Sequence, residues 1–185
     1  PAITQTRIGL LLCPSEVNDR AYIDGALTYY PCSYAANYGL WFVWNPATNL
    51  TGTGAFGPNS RTSTRDFTDG TSNSLAFAEV KAFQYYLRDA GGTPTMPTSA
   101  AGVTTLGGTL KNSGHNEWVD ARANQTAFTT TFGPNTKCPH NDAGVIRDVD
   151  FVSTREGNSP SDATYAVLTA RSYHTGIVHA LLMDG

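Results

Sequence analysis

Turn-forming residues punctuate this 185-residue chain so densely that it is expected to build many short strands joined by turns and long ordered loops. Eighteen Gly and ten Pro are spread along it. Residues 45 to 60 hold two Pro, three Gly and three Asn, and read as a loop on those residues alone. Residues 91 to 114 are Gly, Thr, Pro and Ser with hardly any charge, and predict a long surface excursion. Residues 135 to 150 read as a third loop, carrying Pro139, Gly144 and several oxygen-bearing side chains. Between these breaks stand short apolar or aromatic runs. Residues 7 to 12, 74 to 83, 117 to 119, 126 to 132, 165 to 172 and 177 to 183 are each expected to be strands. The segment Ser33 to Val43 places Tyr34, Tyr38, Trp41 and Phe42 around Asn37 and Gly39, the pattern of an aromatic core.

The length suits one domain with a real core, expected over residues 1 to 185. Nine Tyr, eight Phe and three Trp supply enough apolar area to exclude a disordered chain. A net charge of −3, with Lys and Arg scattered, excludes a phosphate-binding stripe, so nucleic acid is not an expected partner. No run approaches the roughly 18 apolar residues that span a bilayer. The sequence opens at Pro1 and stops at Asp184-Gly185 within what reads as a turn, so both ends are expected to continue in the natural protein.

The signals for chemistry are sparse. Cys13, Cys32 and Cys138 permit one disulfide and leave one thiol over, and none forms a C-x-x-C pair. There is no G-x-S-x-G turn and no H-E-x-x-H helix. His115 with Glu117 makes only a two-ligand metal pair, and a structural role is preferred for both. His174 and Asp184 suggest an acid–base dyad, but an extended run between them would separate them by on the order of 25 to 30 Å. Turn-capping roles are therefore expected, and the chain is not expected to be an enzyme. Trp41, Trp44 and Trp118, with Tyr29 and Tyr30, could alternatively stack on sugar rings if exposed, which would make a carbohydrate- or ligand-binding module.

Four segments carry a family resemblance: Cys13-Pro14-Ser15-Glu16, Ser33-Tyr34-Ala35-Ala36-Asn37-Tyr38-Gly39, Asp69-Gly70-Thr71-Ser72-Asn73-Ser74-Leu75, and His174 followed after nine residues by Asp184-Gly185. In this order they resemble the signatures of the DUF1559 family. Glu117-Trp118-Val119-Asp120 and residues 129 to 137 are similar to one subgroup of it. The resemblance implies an α+β fold, mostly antiparallel β: a type IV pilin-like head domain lacking its N-terminal helix and C-terminal tail. It also implies export, display at the cell surface, a pilin- or pseudopilin-like structural role, and assembly with copies of itself or with other envelope proteins. Membrane contact would come only through the absent helix. Asp69, Gly70, Asn73, His174, Asp184 and Gly185 become structural motif residues. Pseudopilin heads often tie down a loop with calcium, which makes Asn141, Asp142, Asp148 and Asp150 a candidate oxygen cage. Cys32 and Cys138 depart from the family pattern, as does His179, and on that ground a Cys32–Cys138 disulfide is expected, with Cys13–Cys32 as the alternative.

Overall fold

The computed structural model describes residues 2–185; Pro1, where the sequence opens, lies outside them. Thirteen short strands follow one another: β1 Tyr22–Asp24, β2 Leu27–Tyr29, β3 Tyr34–Asn37, β4 Phe42–Asn45, β5 Leu50–Thr51, β6 Leu75–Glu79, β7 Gln84–Arg88, β8 Thr109–Gly114, β9 Ala127–Phe128, β10 Pro139–Asp142, β11 Val145–Val152, β12 Thr164–Val167 and β13 Ala180–Leu182. Helix among the described residues is confined to the four-residue α1, Ala123–Thr126, and short 3-10 turns such as Gly9–Leu11 and Ala100–Leu106. None is long and apolar enough to cross a membrane.

This corrects the expected α+β, pilin-like fold. The chain is a three-sheet, mostly β protein. The Gly, Pro and Thr content limits element length, and the helix formers from Leu75 to Glu79 are drawn into strand by pairing with β3 and β13.

The largest sheet runs β5-β4-β12-β11-β7-β8, with β10 paired to β11. Its pairings are antiparallel except β11 with β7, where Phe151 lies opposite Leu87. Val149, Asp150, Phe151 and Val152 of β11 are all buried, as expected of a central strand covered on both faces. On one side Val43, Tyr86, Val152 and Ala166 pack with Ala123 and Ala127. On the other, Leu87, Val149, Phe151 and Val167 pack with Trp41, Cys138 and Val103 of the 3-10 turn. Trp41 stacks on Phe151 with ring centroids 5.9 Å apart.

The second sheet runs β13-β6-β3-β9, again with one parallel pair, β3 with β9. One of its faces meets the interior through Ala35, Ala78, Phe128 and Ala170. The other carries Tyr34, Ala36, Phe77, Glu79 and Leu181, which the register places opposite one another. β1 and β2 form a separate hairpin.

Several local expectations are revised. The run at residues 7 to 12 is a 3-10 turn, not a strand, and Glu117–Val119 is a turn. Residues 135 to 150 contain the β10–β11 hairpin, and the excursion at 91 to 114 buries Val103 and ends in β8. The run at 177 to 183 is not covered on both faces: only Ala180–Leu182 is strand, at the edge of its sheet, and Leu181 is 47% exposed.

Candidate functional site

Four side chains from three distant parts of the chain meet at the end of β6. Glu79 closes that strand and is 3% exposed, although a carboxylate is among the side chains least often buried. Its backbone is fixed on both sides, its N–H donating to the His179 carbonyl and its C=O accepting from Arg171 N–H.

Cys13 is delivered by the first family segment. Ser33 N–H donates to Leu11 C=O, which ties the preceding residues to β3, and Glu16 N–H closes a turn on Cys13 C=O. The Glu16 carboxylate then accepts from Ala82 N–H at 2.9 Å and Asn18 N–H at 2.8 Å, pinning the turn to the β6–β7 connection. Burial raises the pKa of Glu16 above its ordinary value against these hydrogen bonds.

His174 lies in a turn held by Ser172, whose hydroxyl accepts from His174 N–H and donates to Ile177 C=O. Gly176 permits the positive φ of 73° that the turn requires.

Cys13 Sγ is 3.5 Å from Glu79 Oε1 and 3.5 Å from His174 Nε2, and Nε2 is 3.2 Å from the same Oε1. The second carboxylate oxygen, Oε2, accepts from His179 twice, from the backbone N–H at 2.8 Å and from Nδ1 at 3.1 Å. The two imidazoles stand edge to face, 4.8 Å between centroids. Burial alone would raise the pKa of Glu79, but the backbone N–H of His179, the thiol and the His179 ring together outweigh it and hold the carboxylate below its ordinary value.

A Cys–His–Glu nucleophile relay would need the acid on the imidazole nitrogen remote from the thiol. Here thiol and carboxylate meet the same nitrogen. The arrangement is a convergence of donors, not a relay.

The cluster borders the partly exposed face of the second sheet, where Ala36 packs on the core around Val43 and Tyr86 and Phe77 packs on Phe56, ring centroids 5.1 Å apart. Leu11, Tyr34, Phe77, Ala78, His179, Ala180 and Leu181 line an open, almost wholly apolar cleft of about 420 Å³. Tyr34 and Phe77 are 37% and 38% exposed.

The closing motif does two jobs. While His174 reaches Cys13 and Glu79, Asp184 accepts from the Ser72 hydroxyl, and Met183 N–H donates to Thr71 and Ser74 carbonyls. The docking turn is itself shaped by Gly70, at φ 87°, and by Asn73 Nδ2 donating to Asp69 C=O. Two signature segments, Asp69 to Leu75 and His174 to Gly185, thus fasten to each other. The chain matches the family model described as a protein of unknown function, DUF1559, over residues 2–185. It belongs to the DUF1559 family. No curated protein and no solved structure matches it.

Other sites expected from this DUF1559 sequence are distributed differently. Asp148 and Asp150 both pair with the buried guanidinium of Arg171, Asn141 Oδ1 accepts from Gly144 N–H, and Asp142 faces Arg147. These four side chains are thus engaged by the protein's own donors. The expected Cys32–Cys138 disulfide is corrected: all three cysteines are free thiols, Cys32 Sγ donating to Gln125 C=O while Cys138 packs with Leu87, Val103 and Phe151. Burial raises both, to about 12 and about 11.

Trp41 is core, Trp44 is half-buried beside Asn49, and Trp118 donates to Thr6 C=O, so no tryptophan pair forms a platform. His115 is buried, with Nδ1 bonded to Gln125 C=O.

Glu79 went unread as a site residue because it lies 66 residues from Cys13 and 100 from His179. Its only signal was a charge at the end of an apolar strand.

Proposed function

We propose that this DUF1559 chain is an exported, non-enzymatic structural protein, displayed at the cell surface, that assembles with copies of itself through the outer face of its four-stranded sheet. The observation that carries the reading is that face: Tyr34, Phe77 and Leu181 exposed around a cleft that Leu11 also lines. Contiguous apolar surface at this density is characteristic of an interaction site. The same sheet ends in β13, a short edge strand beside the apolar cleft, and an open edge continuous with an apolar face suits the addition of a strand from another copy. The shared nitrogen in the Cys13–His174–Glu79 contact supports the absence of turnover.

Light scattering across a concentration series tests this. The unaltered chain is expected to form assemblies that Phe77→Glu disperses while its folded circular-dichroism spectrum is retained. A chain that stays monomeric throughout, with the variant indistinguishable, refutes the reading.

A second reading, a binding module for an acidic saccharide, is favoured by a polar cleft of about 260 Å³. There Tyr22 and Tyr29 stack with centroids 6.4 Å apart, near Arg88, Lys111 and Arg122, with Asp24 and Glu117 on the same lining. Calorimetric titration with acidic oligosaccharides, repeated on Tyr22→Ala, separates it from the first.

A further inference from the structure

We propose that Cys13, Glu79 and His174 form a binding site for a zinc-class divalent ion, with His179 as the outer partner that orients Glu79. The three donor atoms form a closed triangle with edges of 3.5 Å from Sγ to Oε1, 3.5 Å from Sγ to Nε2 and 3.2 Å from Nε2 to Oε1. A tetrahedral zinc with bonds of about 2.3 Å to sulfur, about 2.05 Å to nitrogen and about 2.1 Å to oxygen has corresponding donor-to-donor edges of about 3.6, 3.6 and 3.4 Å. The observed triangle fits that figure with small outward movement of each side chain.

Hydrogen bonding satisfies the cluster in only one arrangement, with the thiol and Nε2–H both donating to Oε1, and it leaves the 3.5 Å approach of Sγ to Nε2 as an unbonded contact. A cation at the centre satisfies all three atoms at once.

The surroundings match those of a ligand set. A ligating carboxylate commonly has its second oxygen held by an outer hydrogen bond, and here Oε2 is fixed twice by His179, leaving Oε1 aimed into the triangle. The donor types select the ion: thiolate with imidazole and carboxylate suits zinc and its neighbours, and disfavours calcium or magnesium, which take oxygen ligands. Binding converts the thiol to a thiolate and releases its proton to solvent. Three protein donors leave the fourth tetrahedral position to water.

The ion would clasp the segment after the Gly9–Leu11 3-10 turn, the end of β6 and the turn before β13. Those three pieces surround the apolar cleft, so the site's expected role is to fix the rim of that face. It does not depend on what the face binds.

Cobalt(II) titrated into the purified chain tests the site. One-to-one binding is expected, with a thiolate-to-metal charge-transfer band and the visible spectrum of tetrahedral cobalt. Both should persist in Cys32→Ala and Cys138→Ala and vanish in Cys13→Ser. His179→Ala should weaken zinc binding by about 10- to 100-fold, the usual effect of losing an outer partner.

A second measurement uses the unaltered chain and needs no variant to fold. Cys13 is half-buried while Cys32 and Cys138 are fully buried, so limited alkylation should modify Cys13 first, and saturating zinc should suppress it. Cobalt bound without a thiolate band, or Cys13 alkylated equally fast with and without zinc, overturns the proposal.

Discussion

Half-buried Glu156 and fully buried His115 are ionisable side chains whose preferred states pull stability in opposite directions as the pH falls. Burial raises Glu156 from 4.5 to about 7; its Oε1 accepts from Ala123 N–H, while its Oε2 is buried with no hydrogen-bond partner. Between those values the folded chain keeps a proton that the unfolded chain has lost, so this residue's contribution to stability declines as pH rises from about 4.5 to 7. Burial lowers His115 from 6.5 to about 4, so the unfolded chain gains a proton that the folded one refuses, and stability declines as pH falls through that window. Glu156→Gln is therefore expected to stabilise by on the order of 2 kcal/mol at pH 8 and by clearly less at pH 5, read from urea midpoints at each pH. An offset equal at both values would contradict it. Arg171 makes a different case. Burial lowers its pKa, but the charges of Asp150 and Asp148 outweigh that and raise it, so the guanidinium stays charged. Arg171→Met would strand Asp150 in the interior and is expected to cost about 3 to 5 kcal/mol, measurable by the same urea unfolding.

Strand β6 was legible because Leu75, Phe77 and Val80 stand out against turn residues, and the aromatic segment around Tyr38 and Trp41 does form core. The β10–β11 hairpin was not. Its two-residue turn, Ala143-Gly144, has φ of 48° and 93°, the primed geometry usually marked by Asn-Gly or Asp-Gly, and an alanine there gives no such signal. Ala143→Asn should relieve that strain and stabilise by roughly 0.5 to 1 kcal/mol in thermal unfolding. The final strand misled for the opposite reason: the nearly continuous apolar run at 177 to 183 resembles a buried strand, yet its apolar side chains serve an exposed face. Phe151→Ala in β11, fully buried, should cost about 3 to 5 kcal/mol, whereas Leu181→Ala should cost less than about 1. Comparable costs for the two would show β13 to be core.

Across the molecule, the family segments were legible one at a time, but their convergence was not, because the contacts between them span 66 to 161 residues. Cys13, read as a spare thiol, and His174, read as a turn cap, become partners only when β6 carries Glu79 between them. Asp184 was placed in a terminal turn, and its bond to Ser72 links that turn to the Asp69 to Leu75 segment. The second sheet thereby has one face packed inward and another that Phe56 covers in part, leaving Tyr34, Phe77 and Leu181 exposed beside a fastened rim. Hydrogen–deuterium exchange of the chain across a range of concentrations tests this most directly. Protection should rise with concentration at β13, β6 and the residues around Tyr34, while β11 stays unchanged; exchange at β13 and β6 that does not depend on concentration would contradict assembly through this face.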